Sequence, residues 1–141
     1  MDPKAKTIIE RHGFLDPDRK KPKHDEIQLW VYNNFRQVLK ELWPTTAPFD
    51  KSASLNLKLE YPVSDNRYVI GFIDIYWPHA VAVEVKTEIP VIGDLIRQIQ
   101  FYRNYMGGPC WIVVSPDDRA ASILKEQGIY FYKYKSPGEL F

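Results

Sequence analysis

The stretch GFIDIYWPHAVAVEVKTE, residues 71–88, is the part of the sequence that decides the fold. It contains two runs of apolar, aromatic and β-branched residues, separated by Pro78-His79, a pair typical of a turn. Runs of this composition that are bounded by turn residues predict strands, here over residues 68–77 and 80–87. The short turn between them predicts that the two strands lie side by side.

Three charged residues interrupt these apolar strands: Asp74 in the first, and Glu84 and Lys86 in the second. Because side chains alternate between the faces of a strand, Glu84 and Lys86 are predicted to share one face, where Asp74 can approach them. A single carboxylate in such a strand is explained most simply by a structural ion pair with Lys86. Two converging carboxylates repel each other, however, and a hard divalent cation relieves that repulsion.

Outside this stretch, the spacing of apolar residues predicts the other elements. The predicted order is a helix at 3–12, a loop at 13–23, an amphipathic helix at 25–42, a loop at 45–54, a strand at 55–61, the two strands above, a helix at 94–106, a strand at 110–115, a helix at 117–127 with Ser115 as its N-cap, and a strand at 129–134. The first three strands are predicted to form an antiparallel meander. The order α-α-β-β-β-α-β-α-β predicts an α/β fold with a mixed β-sheet flanked by helices.

Length and composition predict one domain that spans residues 1–141. Cys110 is the single cysteine, which excludes an intrachain disulfide, a zinc ribbon and a four-cysteine iron–sulfur cluster. The net charge of +1 does not by itself indicate a nucleic-acid partner. Without a signal-like N-terminus or an apolar stretch of about 20 residues, an intracellular protein that does not enter a membrane is expected.

A hydrophobic residue and Asp74, then a short hairpin, then Glu84-Val85-Lys86 resemble the motif of the PD-(D/E)xK nuclease superfamily. Ile73 precedes Asp74 at the position where the family motif has a proline, and such a replacement is common in the diverged branches of the family. The resemblance covers about residues 24–115. It implies a restriction-endonuclease-like α-β-β-β-α-β core, with an extra α-β unit at the C-terminus. It also implies a divalent-metal-dependent nuclease that hydrolyses phosphodiester bonds in DNA, with RNA not excluded.

The resemblance further implies roles for the motif residues. Mg²⁺ or Mn²⁺ would be held by Asp74, Glu84 and the carbonyl of Val85, and Lys86 would orient the attacking water.

The first core helix of the family often supplies another acidic ligand, and Glu26 is the residue that matches it. His24 and Asp25 compete for that role, and a glutamate in the first turn also simply complements the helix dipole.

The segment GDLIRQIQFYR, residues 93–103, carries Gln98 and Tyr102 at the Gln-x3-Tyr spacing of the RecB and lambda-exonuclease-like branch. Residues four apart share a helix face, so both side chains are predicted to border the site. Tyr102 also fits a core stripe with its apolar neighbours on the helix. Arg97 is predicted to contact a phosphate of the DNA, although an exposed arginine of the surface has the same pattern.

A basic cluster precedes the second predicted helix: Arg19, Lys20, Lys21 and Lys23. Such a cluster is usually a solvated loop, but beside a nuclease site it is predicted to bind the DNA backbone.

Two alternatives to a nuclease stay open. One is a non-catalytic nucleic-acid-binding or assembly subunit that keeps the fold, and the other is an unrelated α/β protein with a chance Glu-x-Lys. The high aromatic content is compatible with an interface to a second copy of the chain, as in a homodimer, or to a partner protein.

Overall fold

The computed structural model describes residues 17–66 and 68–136. The predicted helix at 3–12 lies outside them. In chain order the elements are a 3-10 helix at Pro17–Lys20, α1 at Pro22–Asn33, α2 at Phe35–Leu42, β1 at Lys58–Ser64, β2 at Val69–Trp77, β3 at Val81–Val85, α3 at Ile92–Met106, β4 at Cys110–Ser115, α4 at Ala121–Glu126 and β5 at Tyr130–Lys133.

The strands form one mixed sheet in the order β1-β2-β3-β4-β5. β1, β2 and β3 are antiparallel, which confirms the predicted meander. β4 pairs parallel with β3, and β5 pairs parallel with β4. A parallel neighbour needs a crossover connection, and α3 provides it between β3 and β4. The predicted α/β fold with a mixed sheet is confirmed.

Helices cover both faces of the sheet, so the central strands are buried on two sides. On one face α1 and α2 pack through Ile27, Val31 and Val38 against β2, β3 and β4. On the other face α3 and α4 pack through Ile99 and Leu124 against the same strands. In the described part of the chain, no helix is long and apolar enough to cross a membrane.

Residues 13–16 of the predicted loop at 13–23 lie outside the described residues; the rest of that loop contains the 3-10 helix and the start of α1, and the predicted helix at 25–42 is two helices. α1 begins at Pro22, because proline has no N–H to leave unsatisfied in the first turn and its φ suits a helix. Asn34 then separates α1 from α2 with a φ of −122°. Its side-chain Nδ2 donates a hydrogen bond of 2.8 Å to the Trp30 carbonyl, a local bond that competes with the helix ladder.

The starts of β1 and α4 also differ from the prediction. β1 begins at Lys58 rather than at residue 55, although Leu55 and Leu57 still pack against the core. α4 begins at Ala121 rather than at residue 117, so Ser115 is not its N-cap. Ser115 instead accepts a hydrogen bond of 3.0 Å from the Asp117 N–H and stabilises a turn before the helix.

Candidate active site

Asp74 lies where the regular pairing of β2 with both neighbouring strands is interrupted. On one side, Ile75 pairs with Leu59 and Ile73 pairs with Tyr61, while Glu60 between them has a φ of 50°. On the other side, the β2–β3 ladder runs from Trp77 only as far as Ile75. The Val85 N–H instead donates a hydrogen bond of 2.7 Å to Asp74 Oδ2. The carboxylate of Asp74 therefore replaces a backbone acceptor at the point where β2 and β3 diverge.

A buried polar network surrounds this carboxylate. The guanidinium of Arg19 donates to both Asp74 and Glu60 and, at 3.0 Å, to the carbonyl of Phe72. Gln28 Nε2 donates to Glu60 Oε1 at 3.2 Å and to the Asp74 carbonyl at 2.8 Å. The side chains of Arg19, Glu60 and Asp74 are all buried. One cation thus bridges two carboxylates that would otherwise repel each other.

His24 completes the network on α1. Its Nε2 lies 3.5 Å from Asp74 Oδ1, and the ring is fully buried. His24 and Gln28 are four residues apart, so one face of α1 carries both to the sheet. His24, which competed with Glu26 in the sequence interpretation, is therefore the residue of this pair that contacts Asp74.

The charges of this network shift its pKa values in opposite directions. Burial by itself raises the pKa of Asp74, but Arg19 and His24 hold it well below its usual range. Burial lowers the pKa of His24, and the charge of Asp74 then raises it above its usual value. Burial and the charge of Asp74 raise the pKa of Glu60 to about 7, against the opposing effect of Arg19. Asp74 therefore carries the negative charge, and Glu60 holds a proton over much of the acidic range.

Glu84 and Lys86 lie near this network, at the end of β3. Glu84 is fully buried, and Lys86 Nζ lies 3.9 Å from its Oε1. The side chain of Lys86 reaches a cleft of about 440 Å³. The cleft is lined by Asp18, Lys21, Lys86, Glu88, Ile89, Pro90, Val91, Asp94, Leu95 and Gln98. The structure therefore brings Lys86, Gln98 and Lys21 to one cleft, next to the strand that carries Glu84.

The 3-10 helix closes one side of the cleft. Asp18 accepts hydrogen bonds from the Thr87 N–H at 3.1 Å and from the Thr87 hydroxyl at 2.5 Å. These contacts fix the segment Pro17–Lys20 to the end of β3 and hold Arg19 over Asp74.

Tyr102 is buried beneath the site rather than at the cleft. Its ring stacks on Trp111 with centroids 5.9 Å apart, and its hydroxyl lies against Gly71, where any larger residue would collide with it. Burial and the charge of Glu84 raise its pKa, while a hydrogen bond with Gln98 lowers it. Tyr102 thus contacts the site from inside the core, and its predicted contact with nucleic acid would require the core to open.

Other predicted residues lie away from Asp74. Glu26 is half-exposed, pairs with Lys23 at 2.9 Å and accepts a hydrogen bond of 3.1 Å from Tyr134. It lies two residues from His24, which turns it toward the opposite side of the helix. Arg97 is exposed and pairs with Asp94. Lys20 is exposed, whereas Arg19, which belongs to the predicted basic loop, is buried and does not face solvent.

The carboxylates do not form a ready metal site in this geometry. Within residues 17–66 and 68–136, no group of three or more His, Cys, Asp or Glu side chains is arranged to hold a metal ion. Both oxygens of Asp74 are already engaged, one by Arg19 and the other by the Val85 N–H. A cation at Asp74 would have to displace the guanidinium.

The sequence interpretation missed Glu60 and Gln28 as residues of this network, and it placed Arg19 in the basic cluster that is predicted to bind DNA. In the sequence, Glu60 alternates with Leu57, Leu59 and Tyr61, a pattern typical of the solvent face of a half-buried strand. Its positive φ turns it into the core instead. One pattern in the sequence could have indicated this network: His24 and Gln28 are four residues apart, which places two polar side chains on one face of α1.

The raised pKa of Glu60 predicts that stability falls as the pH rises from 5 to 8. Its folded-state pKa of about 7 exceeds the usual 4.5, so its stabilising contribution is present below pH 4.5 and is lost as the pH rises through 7. The contribution of His24 to stability also falls as the pH rises, because its pKa is raised in the folded protein as well. We expect a loss on the order of 2 kcal/mol, measured by urea unfolding at matched ionic strength. Glu60→Gln should flatten the profile, and parallel profiles for the variant and the wild type would contradict the prediction.

The site therefore combines Asp74 and Glu84 on neighbouring strands with Lys86 and Gln98 at an open cleft. Of this set, Lys86 and Gln98 line the cleft and can donate hydrogen bonds to an anionic group that enters it. In comparisons with known proteins, no family model, no curated protein and no solved structure matches this chain.

Proposed function

We propose that this protein is a divalent-metal-dependent nuclease that hydrolyses phosphodiester bonds in DNA, with a restriction-endonuclease-like core made of α1, β1–β3, α3 and β4. The observation that carries the proposal is the placement of three charged residues of one motif. Asp74 and Glu84 are buried on adjacent strands, and Lys86, close to Glu84, reaches the cleft. Burying such charges is costly, and catalysis is a common reason for keeping them.

The cleft suggests what the chain's own residues do. Lys86 carries a positive charge to the wall of the cleft, where it can bind a phosphate oxygen and offset the negative charge that develops during hydrolysis. Gln98 lines the same cleft and can orient a water or a phosphate oxygen by hydrogen bonding. Lys20, Lys21, Lys23 and Arg97 are proposed to contact the DNA backbone around it.

Mg²⁺ or Mn²⁺ belongs to the proposal, with Asp74, Glu84 and the Val85 carbonyl as its ligands. Oxygen ligands of this kind suit both ions. Arg19 must release Asp74 before that carboxylate can bind a cation. Glu26 would have to come from the far side of α1, so its part in the ligand set is the weakest of the predicted roles.

The proposal predicts cleavage that depends on a divalent cation. The purified protein is incubated with supercoiled plasmid, single-stranded DNA and RNA, each with Mg²⁺, Mn²⁺ or EDTA. We expect nicked or shortened DNA with either metal and intact DNA with EDTA, because the reaction needs a cation to neutralise the phosphate. Intact substrates under all conditions, at micromolar protein, would contradict a nuclease.

One observation favours a second function, that of a nucleic-acid-binding subunit without catalysis. If Arg19 stays paired with Asp74, no cation binds that carboxylate. The buried charges then contribute to the stability of the protein and not to catalysis. In that case the protein binds DNA equally well with metal and with EDTA and cleaves it with neither. The same incubation, read by gel shift as well as by cleavage, separates the two functions.

A further inference from the structure

We infer that the outer face of α3 binds single-stranded nucleic acid by base stacking. The aromatic face consists of Arg97, Gln100, Phe101, Asn104 and Tyr105. This inference rests on the proposed function for the route of the strand into the cleft, but the binding itself can be measured without cleavage.

Two exposed rings stand together on this face. Phe101 and Tyr105 are each 45% exposed, and their ring centroids lie 5.3 Å apart. They are four residues apart on one helix, which keeps both on the same side. The two rings therefore form one continuous apolar patch rather than two scattered exposed residues.

The charge around the rings suits an anion. From residue 95 to residue 116 the sequence contains Arg97 and Arg103 and no aspartate or glutamate. The side chain of Arg97 is 71% exposed, and its partner Asp94 is exposed as well, so the pair holds the guanidinium only weakly. Beside Phe101 is a shallow depression of about 560 Å³, lined also by both arginines and by the amides of Gln100 and Asn104.

The aromatic face continues from the proposed active site. Gln98 lines the cleft, and Phe101 and Tyr105 follow it on the same helix, about 4.5 Å and 10.5 Å further along the axis. A strand with one phosphate at Lys86 can therefore lay its next bases on the rings. Stacking on a side chain requires bases that are not already stacked in a duplex, so the fitting ligand is single-stranded.

A second copy of the chain is the competing occupant of this face. Two rings that are less than half exposed offer roughly 200 Å² of apolar surface. A stable dimer needs about 800 Å² from each partner. The small aromatic area, flanked by amides and arginines, therefore favours nucleic acid.

The test measures binding in EDTA by fluorescence anisotropy, with a labelled oligothymidine and a duplex of the same length. Wild type should bind the single strand more tightly than the duplex. Phe101→Ala and Tyr105→Ala should each weaken single-strand binding about tenfold, with little effect on the duplex. Phe101→Trp keeps a ring and should keep the affinity. Tyr68→Ala is the matched control, because Tyr68 is a 68% exposed aromatic residue outside α3.

Three results would overturn the inference: unchanged affinity in both alanine variants, an equal loss in Tyr68→Ala, or a wild-type dimer that Phe101→Ala converts to monomer at unchanged oligonucleotide affinity. The proposed function fails separately. If binding depends on the two rings but no metal-dependent cleavage is seen, the nuclease proposal is wrong and the inference about the aromatic face holds. If DNA is cleaved but binding does not depend on the rings, the inference is wrong and the nuclease proposal holds.

Discussion

Arg19→Met is expected to lower the free energy of unfolding by about 3–5 kcal/mol. The guanidinium donates to both Asp74 and Glu60, and all three side chains are buried. Methionine fills much of the same volume but carries no charge. The variant therefore leaves two acidic groups in the core with one cation fewer, and the loss of charge compensation dominates the loss of packing.

Urea unfolding followed by tryptophan fluorescence measures this effect. Lys20→Met is the matched control, because Lys20 is the exposed neighbour, and its unfolding free energy should stay within about 0.5 kcal/mol of wild type. Adding Glu60→Gln to Arg19→Met should recover part of the loss, since one of the two acidic groups is then neutral. An Arg19→Met protein as stable as wild type would show that the network does not hold the core together.

The same variant tests whether a cation can replace Arg19. With the guanidinium gone, Mg²⁺ or Mn²⁺ that binds only the folded protein should stabilise it by about 1.4 kcal/mol at ~10 mM metal and a Kd near ~1 mM. Wild type should gain less, because Arg19 competes for Asp74. The sequence predicted that metal-free carboxylates repel each other. The structure changes that expectation, since Arg19 already offsets the charge of Asp74.

Lys86→Ala is expected to reduce the rate of DNA cleavage by about 10³-fold or more while leaving the protein folded. Lys86 lines the cleft and its Nζ lies 3.9 Å from Glu84 Oε1, so under the proposed function both residues serve the same phosphate. Residues that act as a unit lose activity non-additively. The double variant of Lys86→Ala and Glu84→Gln should therefore be little worse than either single variant.

The measurement is plasmid nicking with Mn²⁺, at equal protein concentration, with circular dichroism to check the fold. Lys125→Ala is the control, because Lys125 is an exposed lysine on α4, away from the cleft. It should cleave at the wild-type rate. If Lys86→Ala also cleaves at that rate, the cleavage comes from another site or from a contaminant.

Local patterns in the sequence predicted the parts of the fold that depend on short-range chemistry. The apolar runs separated by Pro78-His79 became β2 and β3, and the run at 110–115 became β4 with the predicted limits. α3 ends at Met106, and the φ of 74° at the following Gly107 stops the helix. The alternation of side chains also brought Glu84 and Lys86 together. Periodicity, turn residues and strand parity are properties of neighbouring residues, so one sequence is enough to recognise them.

Only the tertiary structure decided which groups surround Asp74. Arg19 meets Glu60 across 41 residues and Asp74 across 55, and Gln28 reaches Glu60 across 32. The basic run around Arg19 gave the appearance of a solvated loop, and Glu60 matched the polar side of a strand. Arg19 and Glu60 are both buried instead. A charged side chain is stable in the core only where an opposite charge from another element lies beside it. That match depends on how the 3-10 helix, β1 and β2 pack, which no local pattern contains.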